Sequence, residues 1–120
     1  MSRKSAPVRI YHNPRCSKSR ETLALLREHG VEPEVVEYLK SPLSAPQVKE
    51  LAAKLGGSPH ALLRTKEEPY ARLGLSKSSS LAAIAAAIAK EPVLLERPLV
   101  VVGDKAAIGR PPESVLALIE

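Results

Sequence analysis

Residues 8–39, V-R-I-Y-H-N-P-R-C-S-K-S-R-E-T-L-A-L-L-R-E-H-G-V-E-P-E-V-V-E-Y-L, change their hydrophobic period twice. Val8–Tyr11 alternates apolar and polar, as a short strand does, and runs into His12-Asn13-Pro14, a turn signal. From Ser17 the spacing becomes helical: Leu23 and Leu26, with Ala24 and Leu25 between them, form an apolar stripe. Gly30 after His29 is a C-terminal cap, so the first helix is expected over residues 17–29. Residues 34–39 (E-V-V-E-Y-L) read as a second strand. Strand, helix and strand with short links make a right-handed βαβ unit with parallel strands, and the fold class is α/β.

Beyond this unit, Ser44-Ala45-Pro46-Gln47 places a glutamine three residues after a serine, a capping box that opens a helix to about Leu55, where Gly56-Gly57 stops it. Ser58-Pro59 starts a short helix ending near Arg64, with serine as cap and proline at the first helical position. Residues 65–80 are polar and irregular, with one turn expected around residues 70–73. Leu81, Ile84, Ala85 and Ile88 fall at i, i+3, i+4 and i+7, so an Ala-rich amphipathic helix covers Leu81–Lys90 and ends at Pro92. Leu99–Val102 (L-V-V-V) is a continuous apolar run, as in a central strand, and Gly103-Asp104 turns it into a hairpin with residues 106–108. A last helix starts at about Pro112, with Val115, Leu118 and Ile119 on its inner face.

The order is β-α-β, a helical insertion at roughly residues 43–91, then β-β-α. This is the plan of a thioredoxin-like fold with a mixed four-stranded sheet, expected as a single domain over residues 1–120 with residues 1–7 as a loose basic tail. In such folds a proline entering the third strand is commonly cis beside the active cysteine, which makes Pro98 the expected cis residue.

Composition narrows the function. Eighteen Lys and Arg against 13 Asp and Glu give a formal charge of +5, which favours an anionic partner. Nucleic acid fits poorly, because the basic residues are scattered and the only aromatics, Tyr11, Tyr38 and Tyr70, offer little to stack on bases. One cysteine, Cys16, makes no intramolecular disulfide and no zinc site, so no metal is expected and the cytoplasm is the expected compartment. Arg3, Lys4 and Arg9 precede no apolar run, so neither a signal peptide nor a membrane span is expected.

Cys16 lies between the first strand and the first helix. The first amides of a helix are unpaired and its dipole favours negative charge, so a thiolate and an oxyanion are both stabilised there. Arg15, Lys18 and Arg20 should lower the thiol pKa further. A free cysteine is more often a small core residue, but this one has polar or charged neighbours on both sides, which argues for a nucleophile. A phosphatase loop needs a longer spacing than the three residues between Cys16 and Arg20.

The stretch Tyr11-His12-Asn13-Pro14-Arg15-Cys16-Ser17-Lys18-Ser19-Arg20-Glu21-Thr22-Leu23 resembles the active-site segment of the glutaredoxin-dependent arsenate reductases, the ArsC family. Ala61-Leu62-Leu63-Arg64, Glu96-Arg97-Pro98-Leu99-Val100-Val101 and Ile108-Gly109-Arg110-Pro111-Pro112-Glu113 match it in order, so the likeness runs from Val8 to Ile119. The resemblance implies that Cys16 is the nucleophile and that Arg64, Arg97 and Arg110 hold the oxyanion, a task that suits the guanidinium fork. It also implies that His12 helps to lower the cysteine pKa. Ser19 and Arg20 are candidate extra donors to the anion.

By the same resemblance the enzyme reduces arsenate to arsenite, with glutathione as co-substrate, glutaredoxin as partner and no tightly bound cofactor; a monomer is expected. The single cysteine points the same way, because a reductase that resolved its own intermediate would need a second thiol. Two alternatives share the scaffold. One is a glutathione-dependent thiol reductase of another substrate, which need not keep all three arginines. The other is a non-enzymatic RNA-polymerase-binding regulator, which typically carries a Cys-x-x-Cys pair where this chain has Ser19.

Overall fold

The computed structural model describes residues 7–119, so most of the expected N-terminal tail lies outside the described residues. The chain divides into two compact units, one made of Met1–Tyr38 with Arg97–Glu120 and the other of Leu39–Glu96. The expected helical insertion falls inside the second.

The first unit holds β1 (Val8–Tyr11), α1 (Ser17–Glu28), β2 (Glu34–Val36), β3 (Leu99–Val102), β4 (Lys105–Ile108) and a 3₁₀ helix, Pro112–Leu118. Its sheet has the order β2-β1-β3-β4; β1 runs parallel to β2 and antiparallel to β3, and β3 antiparallel to β4. All four residues of β3 are buried, as an apolar run in a central strand requires. Ile10, Leu26, Val100, Val102, Val115, Leu118 and Ile119 form the core of this unit.

Three local expectations are corrected here. The second strand ends at Val36 rather than Leu39, because its neighbour in the sheet, β1, ends at Tyr11 and the His12 N–H to Val36 oxygen bond, 2.9 Å, is the last rung. The C-terminal helix is 3₁₀; its buried residues Pro112, Val115 and Leu118 recur every third residue, the period of that helix. On α1 the fully buried residues are Ser19, Thr22 and Leu26; of the expected stripe Leu26 is in the core and Leu23 packs against it, while Ala24 is exposed.

The second unit packs α2 (Ala45–Leu55) against α4 (Leu81–Lys90), with the short α3 (Glu68–Arg72) and 3₁₀ turns at Pro59–Leu62 and Pro92–Leu94. Val48, Leu51, Leu62, Ile84, Ile88, Leu94 and Leu95 are among its buried apolar residues. The capping box forms as expected: the Gln47 N–H donates to Ser44 Oγ (3.3 Å) and the Ser44 N–H to Gln47 Oε1 (2.9 Å). Leu63 bridges antiparallel to Leu95, and this small ladder carries Arg64, whose N–H donates to the Leu94 oxygen at 2.8 Å.

Candidate active site

Asn13 organises the loop that delivers Cys16 to the start of α1. Its carbonyl accepts the Cys16 N–H (3.0 Å), its Oδ1 accepts the Arg15 N–H (3.0 Å), and its own N–H donates to Ser19 Oγ (3.0 Å). Side-chain oxygens of Asn taking a backbone amide two residues on is a turn-forming habit of that residue. Cys16 is thereby fixed in extended backbone (φ −94°, ψ 122°) as the residue preceding the first helical turn, and it is partly exposed. The position usually carries Ser, Thr, Asp or Asn to cap the helix; a thiol there faces the same unpaired amides.

Two arginines converge on the sulfur. Arg110 Nη2 lies 3.4 Å from Cys16 Sγ, while its Nε donates to the Arg97 carbonyl at 2.7 Å. The Arg97 guanidinium also favours the charged form of the thiol. Partial burial works against the charged thiol, but the Ser19 backbone amide, the Arg97 hydrogen bond and charge, and the Arg110 charge outweigh it and hold the Cys16 pKa below the ordinary thiol value. The site therefore offers a thiol whose ionisation is favoured, with Arg110 beside the sulfur. The bonds preceding Pro98 and Pro111 are both cis, the second one unmarked by the sequence.

The remaining candidates are placed differently from one another. Arg64 belongs to the second unit, where Nε meets Glu67 Oε2 at 3.2 Å and Nη1 meets Glu96 Oε1 at 3.0 Å. Arg20 is exposed and its Nη1 donates to the Pro14 carbonyl at 3.0 Å, closing the loop from outside. Ser19 contributes to the thiol through its backbone amide alone. Its side chain is fully buried, taken by the Asn13 N–H and by a 2.7 Å hydrogen bond with His12 Nδ1, so the hydroxyl is an internal strut.

His12 is buried beside the loop. Burial lowers its pKa, the Glu37 carboxylate partly offsets this, and the Arg27 and Arg20 charges add to the lowering, so the ring is neutral near pH 7. A neutral imidazole adds no positive charge to favour the thiolate; its contact is with Ser19. Sequence reading also passed over Thr22 and Gly109. Thr22 is buried one turn beyond Ser19, with Oγ1 donating to the Lys18 carbonyl at 2.8 Å and lying 3.5 Å from the Gly109 oxygen; the Gly109 N–H donates to the Pro98 carbonyl at 2.9 Å. The available signal was spacing: Ser19, Thr22 and Leu26 share one helical face.

The sequence profile of the ArsC family matches residues 11–118. An uncharacterized protein of Escherichia coli K12, YfgD, is 54% identical over 114 residues, covering 93% of this chain and 96% of its own length. An arsenate reductase of Haemophilus influenzae is 47% identical over 114 residues, covering 93% of this chain and 98% of its own. Among solved structures, an arsenate reductase from Vibrio cholerae superposes with a TM-score of 0.89 at 47% identity, covering 94% of this chain and 98% of the other. No helix among the described residues is long and apolar enough to cross a membrane, and no group of three or more potential metal ligands occurs among them.

Proposed function

Since the chain belongs to the ArsC family, we propose that it is an arsenate reductase in which Cys16 is the nucleophile and external thiols supply the electrons. The observation that carries this reading is the Arg110 guanidinium 3.4 Å from a thiol whose pKa is lowered. A stabilised thiolate beside two arginines is equipped for one task in particular, attack on an oxyanion held by those arginines.

Arsenate and phosphate match closely in shape and charge, so the arginines and helix amides bind either, and chemistry discriminates. The Cys16 thiolate attacks arsenic(V), an S–As bond forms, and an arsenic oxygen leaves as water. A second thiolate then attacks the Cys16 sulfur; the S–S bond forms, the S–As bond breaks, and its electron pair stays on arsenic, which departs as arsenite. The enzyme is left as a mixed disulfide. Two thiols have been oxidised to one disulfide and arsenic(V) reduced to arsenic(III), which phosphorus(V) cannot undergo under these conditions.

With one cysteine in its 120 residues the chain cannot form that disulfide internally, and this supports glutathione as the second thiol and glutaredoxin as the agent that restores Cys16. Arg64 belongs to the reading as a third anion ligand, Arg20 as an outer donor. The enzyme acts as a cytoplasmic monomer without a bound cofactor. The test is a coupled assay with arsenate, offering glutathione with glutaredoxin in one arm and thioredoxin in another, with phosphate and a small disulfide as control substrates. Arsenate-dependent thiol oxidation in the glutaredoxin arm is expected. Turnover of the disulfide but not of arsenate would overturn the reading in favour of a thiol reductase.

A further inference from the structure

We propose that Gly109 is a positioning residue for the Cys16 site: the absence of a side chain there lets the segment after β4 seat between Thr22 of α1 and Pro98, and that seating sets Arg110 on the sulfur. A Cβ built on Gly109 would stand 2.5 Å from Thr22 Oγ1, 2.8 Å from Pro98 Cγ and 3.1 Å from Thr22 Cγ2. The other five glycines have positive φ and open space around them. Gly109 has the opposite profile, a φ outside the left-handed region and no room, so close approach rather than backbone freedom is what calls for glycine.

Neither obstacle yields easily. Thr22 is fully buried on a helix, where a β-branched side chain has few rotamers, and its Oγ1 is bound to the Lys18 carbonyl at 2.8 Å. Pro98 is a ring, and its carbonyl accepts the Gly109 N–H at 2.9 Å. A methyl group at position 109 must therefore move the 109–110 backbone outward. The next residue feels this at once: Arg110 reaches the Arg97 carbonyl at 2.7 Å and Cys16 Sγ at 3.4 Å with the same guanidinium, and a fork held at two points cannot follow a displaced backbone without loosening one of them.

The test compares Gly109→Ala, Arg110→Ala and their combination, with Gly109→Ala also made in a Thr22→Ala background that removes the nearest obstacle. Two readouts are taken: Cys16 alkylation by iodoacetamide across pH, and kcat/KM for arsenate. Gly109→Ala should move the alkylation midpoint upward, as Arg110→Ala does, and lower kcat/KM roughly ten- to a hundred-fold. In the Arg110→Ala background it should add nothing, since Gly109 acts through that arginine. A folded Gly109→Ala protein with the wild-type midpoint, or losses that multiply with those of Arg110→Ala, would overturn the proposal. So would failure to fold in both the wild-type and Thr22→Ala backgrounds, which would make Gly109 a requirement of the fold. The activity arm rests on the arsenate reading but the alkylation arm does not: the expected midpoints in a protein that reduces no arsenate would remove that reading and leave this inference standing.

Discussion

Replacing Ser19 by alanine tests how the loop that carries Cys16 is held. Ser19 Oγ is buried with two partners, the Asn13 N–H at 3.0 Å and His12 Nδ1 at 2.7 Å. Alanine removes the oxygen and admits no water, so both groups lose a partner together. A buried polar group left unsatisfied costs about 1–3 kcal/mol, and two such groups, one of them on a ring that can turn, cost about 2–4 kcal/mol together. The better helix propensity of alanine returns about 0.5 kcal/mol, leaving a destabilisation of about 1.5–3.5 kcal/mol. At roughly 4 °C per kcal/mol for a chain of this size, Tm should fall by about 6–14 °C. The assay is urea and thermal unfolding followed by circular dichroism, with KM for arsenate and inhibition by phosphate measured on the folded variant. If the hydroxyl instead donated to the anion, stability would stay near wild type and anion affinity would fall. A destabilisation below about 0.5 kcal/mol would refute the strut.

Arg97→Ala and Arg110→Ala should each raise the pH midpoint of Cys16 alkylation, because each removes a positive charge or hydrogen bond that favours the thiolate. At 3.4 Å the Arg110 charge is worth about 1.2 kcal/mol under full water screening, so kcat/KM should drop about tenfold or more, and Arg→Lys should recover only part because the ammonium has no fork. His12 has a folded pKa below its unfolded value of about 6.5, so in acid the unfolded chain takes up a proton that the native chain refuses. Stability should be unaffected by this group above about pH 6.5 and should be lost as pH falls through the folded pKa. His12→Gln should flatten that part of the pH–stability curve; an unchanged curve would contradict the assignment. Intact-mass measurement after turnover with arsenate and glutathione, glutaredoxin omitted, should find a glutathione adduct on Cys16.

Much of this was legible because it depends on local pattern. Alternation located β1, a continuous apolar run β3, and helical spacing and caps the helices α2 and α4, from residue types alone. The strand-to-helix junction at Cys16 was readable for the same reason. What the pattern could not carry is what depends on the partner across space. Where β2 stops is set by the end of β1, and nothing in E-V-V-E-Y-L states it. The face α1 turns inward also includes Ser19 and Thr22, whose hydroxyls are taken up by the loop and by the 109 segment, so an apolar count found Leu23 and Leu26 but not these two. Arg110 at the thiol shows the same limit, since 94 positions separate it from Cys16 in the chain. His12 illustrates it for charge: the direction of its pKa shift is set by burial and by Glu37, Arg27 and Arg20, none of which its place in the turn discloses.

The central claim is that Cys16 reduces arsenate, and arsenic speciation on the purified protein tests it most directly. Arsenate is incubated with glutathione and glutaredoxin, and arsenite is separated and quantified for the wild-type chain and for Cys16→Ser, which keeps the volume of the side chain and removes the thiolate. Arsenite accumulating over many turnovers with wild type, and no faster than the protein-free background with Cys16→Ser, is the expected result; equal arsenite formation by the two proteins would contradict it.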